Sequence, residues 1–221
     1  MLDTDQPDEL LARALTEARE RAAQARPAID RSGTRDRILD TAIEMFARRG
    51  FEACSVRDLA VAVGIKAPGL YSHFSSKEAI LAEAMLRTLG EFLEYVTAES
   101  TATSPLERLE EMVKRHVRIQ TERRDLARAN DMLMNSESIG DFLPAAEYDL
   151  LVRSQRAYYE LVRSGISAAL GPDSTVDIAI AAFAVIGMCD EVTVWYRPGG
   201  RLDPEQVADT YWQFVKQMLG L

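Results

Sequence analysis

"GIKAPGLYSHFSSKE", residues 64–78, sets two glycines, a proline and one of the chain's two histidines in a segment with helical apolar spacing. Pro68 lacks a backbone donor and Gly69 is a poor helix former. Leu70, Tyr71 and Phe74 nevertheless follow at helical intervals. A helix tolerates proline in its first turn, where the N–H groups have no intrahelical partner. The stretch therefore reads as a glycine turn, a short helix and the start of the next. Ser75-Ser-Lys-Glu78 carries the capping-box pattern, and the helix it opens is predicted to run to about Ala98.

Working outward, Ile38, Leu39, Ala42, Met45 and Phe46 form one apolar helix face, and Arg48, Arg49 and Gly50 mark its end. Ser55-Val-Arg-Asp58 opens a short helix with another capping box, and Gly64 breaks it. Val56, Leu59, Ala60, Val63, Ile65, Leu70 and Phe74 are then spaced to share one core. This is the helix-turn-helix order, about residues 55–74, whose second helix can enter the DNA major groove N-terminal end first. An ordinary helical corner has the same generic pattern. Ala67, Pro68 and Gly69 at the leading end let backbone approach base edges or phosphates.

The rest of the chain also reads as helix, with strand signals nearly absent. Helices are predicted at 105–122, 124–134, 145–170, 174–196 and 204–219, and one from Pro7 to about Gln24. The fold class is all-α. The expected divisions are an N-terminal extension (1–31), a three-helix head (32–92) and a larger C-terminal domain (93–221).

The net charge of −9 argues against nucleic acid only as a total. Residues 34–80 carry +1, whereas the segment after them carries −8. One end can meet phosphate while the acidic body is repelled. Cys54 and Cys189 have no metal-ligand spacing and read as reduced thiols. The start, MLDTDQPDEL, lacks a basic-then-apolar pattern, so no signal peptide and a cytoplasmic location are expected. The apolar run Ile178 to Cys189 is shorter than the roughly 20 residues of a membrane span. Asp177, Asp190 and Glu191 flank it, and it reads as a buried helix of a soluble protein with no membrane partner. With only His73 and His116 there is no metal cluster, nucleophile elbow or phosphate-binding glycine loop. No catalytic residue, metal site or cofactor is expected.

The segment from about Thr34 to Leu81 resembles the DNA-binding domain of the TetR family of transcriptional regulators. The motifs that carry the resemblance are Arg-Gly-Phe at 49–51, Ser-Val-Arg-Asp-Leu-Ala at 55–60, the Gly-Ile turn, Leu-Tyr-x-His-Phe at 70–74 and Ser-Lys-Glu at 76–78. The resemblance implies a homodimer in which each subunit offers a helix-turn-helix head to a double-stranded operator, while the C-terminal domain binds an effector and dimerises. It implies that Ser55 caps the first helix of the motif and offers its hydroxyl or N–H to phosphate. Tyr71, His73 and Lys77 match positions that touch the DNA backbone. Lys66, Ala67, Pro68, Gly69 and Ser72 match the leading end and exposed face of the recognition helix, and Arg57 joins the DNA-facing set. The chain departs from the family's usual Ser or Thr at two places, Lys66 and Gly69.

In the C-terminal domain, Val207, Tyr211, Phe214 and Met218 make a seam at i, i+4, i+7 and i+11. With Ile178, Val185 and Val192 they form the expected dimer interface. Candidate pocket residues are Met112, His116, Ile119, Asn130, Met134, Phe142, Arg153, Tyr158, Phe183 and Trp195. The tail from Trp195 to Leu219 is similar to TetR members that regulate fatty-acid, steroid or other acyl-CoA catabolism. That likeness implies a hydrophobic effector of the acyl-CoA or lipid type, its anionic group met by arginines such as Arg123, Arg124 or Arg153. The alternative function is a helical protein-interaction adaptor that has lost DNA binding.

Overall fold

The structure, a computed structural model, describes residues 7–25, 33–123 and 142–221. The described helices are α1 (Pro7–Ala25), α2 (Thr34–Arg49), α3 (Val56–Val63), α4 (Ala67–Tyr71) and α5 (Lys77–Val96), followed by α6 (Pro105–Glu122), α7 (Ala145–Leu170), α8 (Ile178–Asp190), α9 (Val192–Trp195) and α10 (Pro204–Leu219). No strand occurs among the described residues. These residues fall into two units. A head unit holds 23–25, 33–91 and 142–153; a body unit holds 7–22, 92–123 and 154–221. The expected helix at 124–134 lies outside the described residues.

In the head, α2 buries Ile38, Leu39, Ala42, Ile43 and Phe46, the face its spacing predicts. Gly50 stops it at φ +79°, its N–H donating to the Phe46 carbonyl at 2.9 Å. Helix α3 packs between α2 and α4, and Leu59, Ala60, Val63, Leu70 and Phe74 are buried. Leu39, Leu59, Leu70 and Phe74 are large side chains, and full burial of each contributes roughly 1.5–3 kcal/mol. The buried Arg87 of α5 lies 2.7 Å from Asp40, 3.3 Å from Glu91 and 3.7 Å from Asp36. This network ties α5 to α2.

The start of α5 corrects the expected cap. Ser76, not Ser75, accepts from the Ala79 N–H, at 3.1 Å, and the helix begins at Lys77. Shifting the cap by one residue removes the Ser75/Glu78 pairing that the sequence pattern suggested.

In the body, α6 packs along α10 and also meets α8 and α9. Capping boxes start α6 (Ser104 with Glu107) and α10 (Asp203 with Gln206). Leu109, Val113 and Val117 of α6 and Val207, Trp212 and Val215 of α10 are buried where the two helices pack, and Lys114 lies 2.7 Å from Asp209. The predicted single helix at 174–196 is two: α8 ends at Asp190, and α9 begins at Val192. Asp190 sends its carboxylate to His116 where the helix breaks.

The expectation that Ile178–Cys189 is a buried helix is half right. Ala181, Ala182, Val185 and Cys189 are buried, but Ile180 and Phe183 are 68 % and 67 % exposed. The segment 178–195 is apolar enough to match a membrane span by composition. Here it is interrupted by Asp190–Glu191 and packs one side on the body.

Candidate nucleic-acid interface and body cavity

The turn between α3 and α4 follows from Gly64. At φ +78° it occupies the left-handed region, and its N–H bonds to the last turn of α3. The Ile65 N–H returns to the Ala60 carbonyl at 2.9 Å, completing the tight exit. Lys66 then takes an extended conformation as the N-cap of α4 but supplies no side-chain cap. Gly69 and Leu70 donate to its carbonyl at 2.8 and 3.3 Å. Pro68 sits at the second helical position, where it sacrifices no intrahelical bond.

Leu70 and Phe74 anchor this short helix inward. Lys66, Pro68, Tyr71, Ser72 and His73 are exposed, with Ala67 and Gly69 partly so. Tyr71 is 53 % exposed. The Ser72 hydroxyl donates to the Gly69 carbonyl at 2.7 Å. Arg57 on α3 is exposed too. Lys66, Ala67, Pro68, Gly69, Tyr71, Ser72 and His73 therefore lie together on one short segment.

Two expected phosphate donors also make bonds within the head. Ser55 accepts from the Asp58 N–H at 3.1 Å, and both its hydroxyl and its N–H donate to the Asp58 carboxylate, at 2.6 and 3.1 Å. The side-chain and backbone bonds from Ser55 hold the Asp58 carboxyl below its ordinary range. The reciprocal cap uses both Ser55 donors within the chain. The Lys77 ammonium donates to the carbonyls of Phe51 and Cys54, each at 2.9 Å, and lies 4.0 Å from the Phe51 ring centre. It holds the α2–α3 connection. Local sequence does not reveal these partners, because they lie more than 20 residues away.

Sequence reading also missed Arg35 and Arg37. Arg35 forms a bidentate pair with Glu83 and stacks on Phe74 at 4.5 Å. Arg37 donates to the Val63 carbonyl at 2.7 Å, at the end of α3. Both place the helix-turn-helix motif on α2 and α5. The Cys54 thiol is buried and free; burial pushes it up despite Arg49 and Lys77.

The candidate pocket residues do not converge. Asn130 and Met134 lie outside the described residues. Phe142 belongs to the head unit, its ring 5.4 Å from Phe51. Arg153 is exposed and pairs with Asp149 one turn back on α7, at 2.8 Å. Phe183 and Trp195 face outward; Phe183 rests on Tyr159, and the Trp195 indole donates to the Tyr211 hydroxyl at 3.0 Å.

His116 and Tyr158 are core. Tyr158 lies 2.7 Å from His116 Nδ1, Asp190 lies 2.9 Å from Nε2, and the Gln120 amide donates to the same carboxylate at 2.9 Å. With the Tyr158 hydroxyl donating to Nδ1, the Nε2–H donates to Asp190. Phe92 meets both His116 and Tyr158 edge-on. Burial drives the Tyr158 phenol, and the Cys189 thiol beside it, well above their ordinary values. Ile119 is buried as well.

Met112 alone of the candidates lines a cavity of about 410 Å³ in the body unit. Its apolar lining includes Val96, Leu109 and Leu161, and Arg19, Arg108 and Arg115 stand at it. No cluster of three His, Cys, Asp or Glu suited to a metal ion occurs among the described residues.

The expected dimer seam divides. Val185, Val192, Val207 and Tyr211 are buried within the protomer and Ile178 partly so, whereas Phe214 and Met218 are 51 % and 43 % exposed. Val207 and Tyr211 face the protomer's own core along the first half of α10. The second half leaves the same face open.

Residues 38–84 match the family model for bacterial regulatory proteins of the tetR family, and residues 102–219 match that for the tetracyclin repressor-like C-terminal domain. The chain is 32 % identical over 193 residues to the HTH-type transcriptional repressor KstR2 of Mycolicibacterium smegmatis, covering 82 % of this chain and 88 % of the relative. The solved KstR2 of Mycobacterium tuberculosis, a ketosteroid transcriptional regulator, superposes with a TM-score of 0.73 at 22 % identity, over 87 % of this chain and 96 % of that one. AibR, solved with isovaleryl coenzyme A and operator DNA, superposes at 0.70 with 24 % identity, over 85 % and 98 %. The two family matches follow each other along the helix-turn-helix head and the helical C-terminal part: the chain belongs to the TetR family of DNA-binding transcriptional regulators.

Proposed function

We propose that the chain is a cytoplasmic repressor that binds a pseudo-palindromic operator as a homodimer and is released by a small hydrophobic effector. The observation that carries this reading is the exposed surface of α4. Small residues at its leading end permit close approach, Lys66 and Arg57 supply charge, and Tyr71, Ser72 and His73 supply polar contacts. The name of the KstR2 relative supports repression.

Two apolar stripes support the dimer. Ile180 and Phe183 on α8, and Phe214 and Met218 on α10, are large and exposed on helices that touch each other. A two-fold interface built from them resembles a bundle core cut in half. This moves the interface away from Val185, Val192, Val207 and Tyr211.

Release follows from differential affinity. An effector that favours the state with mismatched head spacing weakens DNA binding by its preference for that state over the other. The acyl-coenzyme A ligand of AibR supports an acyl or lipid effector here. The test is a mobility shift with DNA flanking the chain's own gene. A salt-sensitive complex is expected; no complex with any fragment at low salt overturns the reading.

A further inference from the structure

The body cavity is edged by a helix that neither family match covers. Helix α1 ends at Ala25, before the head match begins at residue 38. Its Arg19 donates from Nε to the Thr97 carbonyl at 2.9 Å and lines the cavity beside Val96, Thr97 and Ala98. The cavity's apolar wall is made by Val96, Leu109, Met112 and Leu161, all buried. Its volume falls within the range of roughly 300–1,000 Å³ usual for small-molecule sites.

The charges at this cavity are unequal in their commitments. Arg115 donates to the Ala98 and Glu99 carbonyls at 2.7 and 2.9 Å and lies 3.3 Å from Glu111, so it pins the chain after α5. Arg108 enters no ion pair among the described residues. Arg19, Arg108 and Arg115 against Glu99 and Glu111 leave one net positive charge. An apolar chamber with one surplus cation, and a guanidinium free to take a bidentate partner, selects an apolar body ending in one carboxylate. A neutral ligand leaves the cation unused, and a polyphosphate head brings more negative charge than the cavity can match.

We propose that this cavity binds an amphipathic monocarboxylate, its tail against Val96, Leu109, Met112 and Leu161 and its carboxylate on Arg108 and Arg19. Helix α1 is then part of the binding site, and occupancy favours its docked position. The binding itself is independent of DNA; that the occupant is the effector rests on the function proposed above.

Calorimetry on the full chain tests it, with decanoate, decanol and decanoyl coenzyme A as probes. Decanoate binds and decanol binds at least about tenfold more weakly, as expected for loss of a charge-assisted pair. Arg108→Ala and Arg19→Ala each weaken decanoate about tenfold, and Arg108→Ala leaves the melting temperature unchanged because Arg108 is exposed. Ala102→Trp, on the loop edging the cavity, blocks binding. Decanol binding as well as decanoate, unchanged binding by Arg108→Ala, or binding of decanoyl coenzyme A alone overturns the proposal. Operator binding measured on the same samples separates the two readings. Decanoate binding without DNA binding leaves the cavity standing and removes the regulator reading; DNA binding without decanoate binding does the reverse.

Discussion

The ammonium of Lys77 sits 4.0 Å from the centre of the Phe51 ring and donates to the Phe51 and Cys54 carbonyls, near the two ends of the α2–α3 connection. A cation at the start of the long helix thus fixes the loop that leads into the DNA-facing motif. Lys77→Ala leaves both carbonyls without this donor, and we expect a loss of about 1–3 kcal/mol in stability. Thermal melts should show it, with the salt slope of DNA binding unchanged. Arg57→Ala should do the opposite, keeping the melt and flattening the slope by about one ion. An unchanged melt and a flattened slope in Lys77→Ala would make Lys77 a phosphate contact.

Gly64 and Gly69 should respond in opposite senses to alanine. Gly64 lies at φ +78°, where a side chain costs about 1–2 kcal/mol. Gly69 has an ordinary helical backbone and open space where a Cβ would stand, so alanine gains up to about 1 kcal/mol of helix propensity. Denaturant melts of the two variants check the signs. Gly69→Ala should also alter operator sequence preference, read by selection from random duplexes.

Ser55→Ala removes the reciprocal cap and should lower the melting temperature by about 2–4 °C near neutral pH. The Asp58 carboxyl is held below its ordinary value chiefly by the Ser55 hydroxyl. A depressed folded value means the contribution is present above the ordinary carboxylate range and is lost as pH falls through the depressed one. The gap between the parent chain and Ser55→Ala should therefore narrow below about pH 4, to the part owed to the Asp58 N–H bond. A gap that does not narrow there contradicts the carboxylate's part in the cap.

Phe183→Glu and Phe214→Glu place charge on the exposed stripes without entering the protomer core. Each should yield a folded monomer by analytical ultracentrifugation, with unchanged helical circular dichroism. Val207→Glu, by contrast, buries an unpaired carboxylate and should unfold the body. Dimers persisting in both Phe variants would move the interface elsewhere.

Much of this architecture was legible locally. The Ser55 cap, the Gly64 exit, the break before Pro105 and the span of α7 each follow from residues within one or two turns. Distant partners were not legible. Lys77 reads as a surface cation because its carbonyl acceptors stand 23 and 26 residues earlier. The α10 seam reads as one apolar face because periodicity cannot tell which half the protomer itself covers. His116 and Trp195 both read as pocket residues, since an apolar neighbourhood is shared by core, surface patch and chamber. The cavity arginines went unread because Arg19 and Arg108, 89 residues apart, come to line one cavity only in three dimensions.

The most direct test is fluorescence anisotropy on a duplex selected by the protein from random DNA, titrated across salt concentrations. The account predicts two or a multiple of two chains per pseudo-palindromic duplex, with log K falling steeply against log salt. It also predicts a shallower slope for Arg57→Ala and Lys66→Ala. One chain per duplex, or an affinity indifferent to salt and to both substitutions, would contradict it.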